Sequence, residues 1–187
     1  MKHSEIRQHI INTASDLFYA NGYNNTGINE IIAKAGIAKA TLYNHFRTKD
    51  DICIAYLKHK HSNFILALRS YIEEKPKGRL QLLGIFDFLK EFYREPSFNG
   101  CWCIRTIAEI PGDNVEIRNE IQNQKKELVF FLKEVVNDNI KNLSNAEAEK
   151  ITNGLYLLYE GAVGESHLHQ SDWPIYSARD VGAQLIP

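Results

Sequence analysis

Apolar residues return every three or four positions along almost the whole chain, and no stretch alternates with a period of two. The first set, Ile6, Ile10, Ile11, Ala14, Leu17 and Phe18, traces one face of a helix. This periodicity argues against a sheet and predicts an all-α fold. A chain of 187 residues can bury a sizeable core. With 44% hydrophobic and 24% charged residues it falls in the ordinary globular class. That excludes a disordered chain, a collagen and a disulfide-dense mini-protein. No run of about 18 apolar residues occurs, so no spanning helix is expected. Met1-Lys2-His3-Ser4-Glu5 leads into an amphipathic stretch and not into a signal-peptide core, so a cytoplasmic location is expected.

Breaks between the periodic runs set the elements. Gly22 stops the first helix. A short run follows Thr26 with Ile28, Ile31, Ile32 and Ala35, and ends at Gly36. A second short run packs through Leu42, Tyr43 and Phe46. Thr48 and Asp51 form a capping box, with Asp in place of the usual Glu or Gln, and open a long helix to about Lys75. Leu80 to Tyr93 is apolar around most of its circumference. Cys101 to Ile110 is a short helix closed by Pro111-Gly112, and Val115 to about Asn142 is a long one. Ser144 and Glu147 cap the next, which carries Ile151, Leu155, Leu158 and Ala162. Pro174 starts the last, lined by Ile175, Ala178, Val181 and Leu185.

Two short helices joined at Gly36 have the pattern of a helix-turn-helix, whose second helix enters the major groove and turns its N-terminal residues to base edges. Lys39, Ala40, Tyr43 and Asn44 are the base-contact candidates. Lys39 can donate to guanine and Ala40 can pack on a thymine methyl. Thr26, Thr41, Tyr43, His45 and Lys49 are the phosphate candidates. The net charge is −1, but residues 1–50 hold six Lys/Arg against four Asp/Glu, leaving −3 elsewhere. The sign suits a phosphate-facing N-terminal part, though a chance split gives it equally well.

The motif text resembles the TetR family of bacterial transcriptional regulators. It reads Gly22-Tyr23, Thr26, Ile31-Ile32-Ala33-Lys34-Ala35-Gly36-Ile37, Thr41-Leu42-Tyr43-Asn44-His45-Phe46 and Lys49-Asp50. Two positions depart from the pattern: Ala38 stands where Ser commonly caps the recognition helix, and Gly27 where Thr or Ser is common. The resemblance implies a DNA-binding domain over 1–47 and an effector-binding and dimerisation domain over 48–187. It implies double-stranded operator DNA and a small-molecule effector as partners, homodimerisation through the last two helices, no membrane partner and no cofactor.

Effector-pocket candidates are Phe86, Phe92, Trp102, Phe131, Tyr156 and Tyr159, aromatic residues that equally suit an ordinary core. Dimer candidates are Gly154, Leu155, Leu158, Gly161, Ala162, Ile175 and Ala178, since small residues permit close helix approach; an intramolecular core face is the alternative. Three cysteines, Cys53, Cys101 and Cys103, argue against a disulfide framework, and Cys101-Trp102-Cys103 lacks the second pair of a zinc site. Cys101, at a helix start and near Arg105, has the setting of a reactive thiol, or else is a small buried hydrophobe. Gly100-Cys101 followed by Ala108-Glu109 resembles a TetR subgroup of which some members sense electrophiles or oxidants through a cysteine at this point. His167 and His169 are two apart on a helix and do not share a metal there, so no metal site is expected.

The expected function is a ligand- or electrophile-responsive regulator, a repressor acting on a palindromic operator. A DNA-binding module that works through a partner protein, and a small all-α enzyme, are the alternatives. No Gly-rich phosphate loop, nucleophile elbow or His-Glu-x-x-His occurs, so no enzymatic activity is expected.

Overall fold

A computed structural model describes residues 3–187; Lys2, counted above in the N-terminal charge, lies outside them. Among the described residues the chain forms nine α-helices and no strand. They are α1 (His3–Asn21), α2 (Ile28–Ala35), α3 (Lys39–His45), α4 (Lys49–Glu73), α5 (Arg79–Tyr93), α6 (Trp102–Glu109), α7 (Val115–Asn139), α8 (Asn145–His169) and α9 (Trp173–Leu185). The expected all-α architecture is therefore observed, with α7 ending three residues earlier than its periodicity suggested. No helix among the described residues is long and apolar enough to cross a membrane.

Local chemistry accounts for several boundaries. Gly36 ends α2 in the left-handed region at φ 64°, and its N–H bonds back to the Ala33 carbonyl. The Thr48–Asp51 box is formed in both directions: Asp51 N–H donates to Thr48 Oγ1 and Thr48 N–H to Asp51 Oδ2, each at 3.0 Å. The Ser144–Glu147 box at α8 is likewise complete. Pro174 sits in the first turn of α9, where its missing N–H leaves no intrahelical bond unmade.

Contacts divide the chain into two compact units. Unit 1 comprises Met1–Asn63 and Trp102–Gln124; unit 2 comprises Phe64–Cys101 and Lys125–Pro187. These units cut across the division at residues 47 and 48 drawn from the sequence, because the first turns of α4 and all of α6 pack in unit 1. Unit 1 has its own core, with Ile10, Phe18, Ile31, Leu42, Phe46, Ile52, Tyr56 and Ile117 buried. Unit 2 is built on one apolar cluster drawn from α4, α5, α7, α8 and α9, including Leu68, Phe86, Leu89, Phe131, Leu155, Tyr159 and Ile175. Two expected core positions lie elsewhere: Val181 is exposed and Leu80 is half exposed, since each falls on the outer arc of its helix.

Candidate nucleic-acid interface

In unit 1, α1 packs on α2 and α2 on α3. The second of these short helices is anchored at its middle and its C-terminal end: Leu42 is fully buried and Phe46, its C-cap, is 3% exposed. Anchoring that face leaves the other in solvent. Lys39, Ala40, Tyr43 and Asn44, the four base-contact candidates, are all exposed. Tyr43, expected to help pack the helix, is 41% exposed, so its ring belongs to the outer face. Arg7 lies over the Phe46 ring at 4.8 Å and supports the end of α3 from α1. Ala38 is the N-cap of α3 and Gly27 that of α2, and neither supplies a side-chain cap bond.

The phosphate candidates divide. Thr41 is partly exposed. Lys49 opens α4 and holds its ammonium 4.1 Å from the centre of the Tyr23 ring; burial lowers its pKa. The His45 ring lies 4.1 Å from the His3 ring, tilted by 47°, and burial first, then His3 and Arg7, lower its pKa. Thr26 is a correction. It is fully buried and its hydroxyl donates to the Gly22 carbonyl at 2.8 Å, so it closes the turn after α1 and turns no donor to solvent.

A polar lattice ties these helices to α6 and the start of α7 within unit 1. Tyr23 donates to Asp50, and Asn114 donates to the other Asp50 oxygen at 2.8 Å. The Asn24 N–H donates to Glu109 at 2.7 Å, and Asn24 Nδ2 to the Glu109 carbonyl at 2.9 Å. Arg105 donates to the Tyr19 carbonyl at 2.7 Å. Gly22 has φ 89°, and a side chain there would run into the Glu109 carboxylate. Tyr23 and Asp50 are 27 residues apart and the other hydrogen-bonded partners 64 to 86, and no motif or spacing announces these pairings.

Such an arrangement defines a helix-turn-helix DNA-binding protein with a larger helical domain attached. Residues 10–56 match the family described as bacterial regulatory proteins, tetR family. The chain is 21% identical over 184 residues to the transcriptional repressor NemR of Escherichia coli (strain K12), covering 95% of this chain and 92% of that one. It is 26% identical over 133 residues to a fatty acid metabolism regulator protein of Bacillus subtilis (strain 168), covering 71% and 67%. The solved structure of E. coli NemR in its reduced form superposes with a TM-score of 0.87 at 20% identity, covering 98% and 97%. Residues 10–56 thus carry the helix-turn-helix domain of the tetR family of bacterial regulatory proteins, and the whole chain shares the fold of E. coli NemR.

Unit 2 distributes the remaining candidates unevenly. Phe86, Phe131 and Tyr159 are packed in the core cluster and Phe92 is half-buried against it. Tyr156 lines an open groove between α7 and α8. Trp102 lies in unit 1, its indole N–H 3.4 Å from Gln124 Oε1. Of the dimer candidates, Leu155, Ala162, Ile175 and Ala178 are buried in the chain's own core, and Leu158 is half-buried against it. Gly154 serves packing within the chain, for a Cβ there would stand 2.6 Å from Leu185. Gly161 alone of the seven lies exposed with open space beside it. The exposed stripe on these helices instead runs Leu157, Gly161, Gly164 and Leu168 on α8, with Trp173, Tyr176 and Val181 on α9. The helical period located the apolar residues, but Leu155, Ala162, Ile175 and Ala178 fall on the arc that faces the chain's own core, the alternative the sequence left open, while Gly161 lies on the exposed stripe.

All three cysteines are free. Cys53 is buried, and burial pushes its thiol up to about 12, the mark of a packing residue. Cys103 is buried with Sγ 3.4 Å from Gln124 Oε1. Cys101 is partly exposed and carries a cation at its sulfur: Lys125 Nζ lies 3.3 Å from Sγ and 2.6 Å from both Glu160 oxygens. The sequence pointed to Arg105 for that cation, but Arg105 turns to the Tyr19 carbonyl. Lys125 is 24 residues away in sequence, beyond the reach of local spacing. His167 packs over Gly100, and His169 pairs with Glu165; no group of three metal-binding side chains occurs among the described residues.

Proposed function

We propose that this regulator binds a palindromic operator as a homodimer, with α3 in the major groove, and that a ligand or an electrophile releases it. The carrying observation is the face of α3: Lys39, Ala40, Tyr43 and Asn44 are exposed together on a helix anchored from behind by Leu42 and Phe46. Lys39 and Asn44 have the donors that base edges require, and Ala40 suits a thymine methyl. Thr41, Tyr43, His45 and Lys49 supply phosphate contacts around them, which fix register without reading sequence. Thr26 has no part in this contact set. The two-fold assembly uses the exposed stripe of Leu157, Gly161, Gly164 and Leu168 with Trp173, Tyr176 and Val181, and the pairing predicts half-sites about one helical turn or a small multiple apart.

On the sensing side, Phe86, Phe92, Phe131 and Tyr159 form the aromatic wall of the effector site, with Tyr156 at its outer edge. Cys101 is the electrophile-reactive thiol. The Lys125 ammonium at its sulfur supports this role, because a neighbouring cation favours the thiolate, the nucleophilic form. Modification of Cys101 also displaces Lys125 from that contact.

Selection from randomised duplexes, followed by titration of wild type, Lys39→Ala and Lys49→Ala, tests the DNA reading. The expected result is a palindromic consensus, an altered base preference for Lys39→Ala, and a uniform loss for Lys49→Ala with a shallower salt dependence. Wild-type affinity and preference in both variants would refute the assignment of α3. For the thiol, an electrophile should release operator from wild type and not from Cys101→Ser; equal release from both refutes it.

A further inference from the structure

The groove between α7 and α8, which shares Tyr156 with the effector site proposed above, has a chemistry that the DNA contacts do not use. It encloses about 510 Å³, within the size range of small-molecule sites. Its apolar wall is Val129, Phe130 and Tyr156, and Phe130 is 65% exposed, an uncommon position for a large aromatic ring. Its rim carries Lys125, Lys126 and Lys133. Lys125 is paired with Glu160 and Lys133 with Glu149 at 3.1 Å, while Lys126 has no acidic partner among the described residues. One positive charge is thus left over at the rim.

A second observation comes from the wall itself. Thr152 lines the groove, is 1% exposed, and its Oγ1 has no hydrogen-bond partner. A threonine in a helix ordinarily turns its hydroxyl to the carbonyl one turn back, and a buried hydroxyl left unpaired is costly. Thr152 therefore lines a cationic, aromatic-walled groove while its own hydroxyl is buried and unpaired.

We propose that this groove binds a small organic monoanion, its carboxylate held by the lysine rim and the Thr152 hydroxyl, its apolar body lying on Phe130, Val129 and Tyr156. The single uncompensated charge sets the ligand's charge, and the aromatic wall sets the need for an apolar body. Rotation of Thr152 about χ1 turns its hydroxyl toward the bound oxygen and satisfies it.

Isothermal titration of the full chain with octanoate, octan-1-ol and octylamine tests the site directly. Binding is read on the protein alone, so the outcome does not depend on whether the chain binds an operator. Octanoate should bind saturably, octan-1-ol about tenfold more weakly and octylamine not at all. Lys126→Glu, at an exposed position, should weaken octanoate by about tenfold or more, and Thr152→Val by about threefold. Thermal melting of Thr152→Val confirms that this buried variant is folded. Absence of saturable octanoate binding at millimolar concentration, octylamine binding as tight as octanoate, or wild-type binding by either variant overturns the proposal.

Discussion

The third helix and the eighth helix begin in opposite ways. At α3 the N-cap is Ala38, which offers no side-chain bond, and the helix runs only seven residues. At α8 Ser144 and Glu147 satisfy each other's backbone N–H groups, and the helix runs 25 residues. An isolated helix as short as α3 is far below the length at which helices hold in water, so its order depends on Leu42 and Phe46 and on the turn at Gly36. The eighth helix has a complete cap and an apolar face buried in the unit 2 core. The contrast places rigidity where unit 2 is assembled and leaves the exposed face of α3 held by Leu42, by Phe46 and by the Arg7 contact on the Phe46 ring.

The largest effect expected from this contrast is in the core. Leu155→Ala empties a site that is 1% exposed in unit 2 and should cost about 2–5 kcal/mol in urea unfolding. A cost under about 1 kcal/mol would show that this face is not the core. Next comes Gly22→Ala. The position has φ 89° and lies against Glu109, whose carboxylate accepts from the Asn24 N–H. Strain plus disturbance of that bond should cost about 1–3 kcal/mol, read in the same assay. Equal stability in Gly22→Ala would remove the polar lattice from the account of unit 1.

The two caps should respond with opposite signs. Ala38→Ser supplies the missing acceptor at α3 and should stabilise by about 1 kcal/mol, whereas Ser144→Ala should destabilise by a similar amount. Thermal melts of both variants sharpen the comparison; a neutral Ala38→Ser would mean that α3 is already capped by other means. The smallest effect is a pH slope. Burial lowers the His45 pKa below its ordinary value, so the native state holds this ring neutral more firmly than the unfolded chain does. Its contribution is present above pH about 6.5 and is lost as pH falls through the lowered native value. His45→Gln should therefore lose less stability than wild type between pH 7 and 5, and identical slopes would contradict the reading.

The same contrast explains what was legible in the sequence. Helix periods, the Gly36 turn, both capping boxes and the exposed face of α3 follow from residues within four positions of one another, and all were readable. Thr26 was misread because residue type marks a phosphate donor, while the turn at Gly22 decides where its hydroxyl points. Among the dimer candidates, Leu155, Ala162, Ile175 and Ala178 lie in the chain's own core for a related reason. Leu155, Leu158 and Ala162 make a good apolar stripe, but a period cannot say whether a stripe meets the chain's own α5 and α9 or a second molecule. Leu157, Gly161, Gly164 and Leu168 recur at helical spacing too, on the arc that stays exposed. Lys125 beside Cys101, and Glu109 beside Gly22, depend on long-range folding and leave no local trace.

Hydrogen exchange with and without the selected duplex bears most directly on α3 as the reading element. The account predicts that amides of residues 40–46 exchange readily in the free protein and gain strong protection on DNA, while those of α8 are protected in both states. Protection gained on α8 and α9, with none on α3, would contradict it.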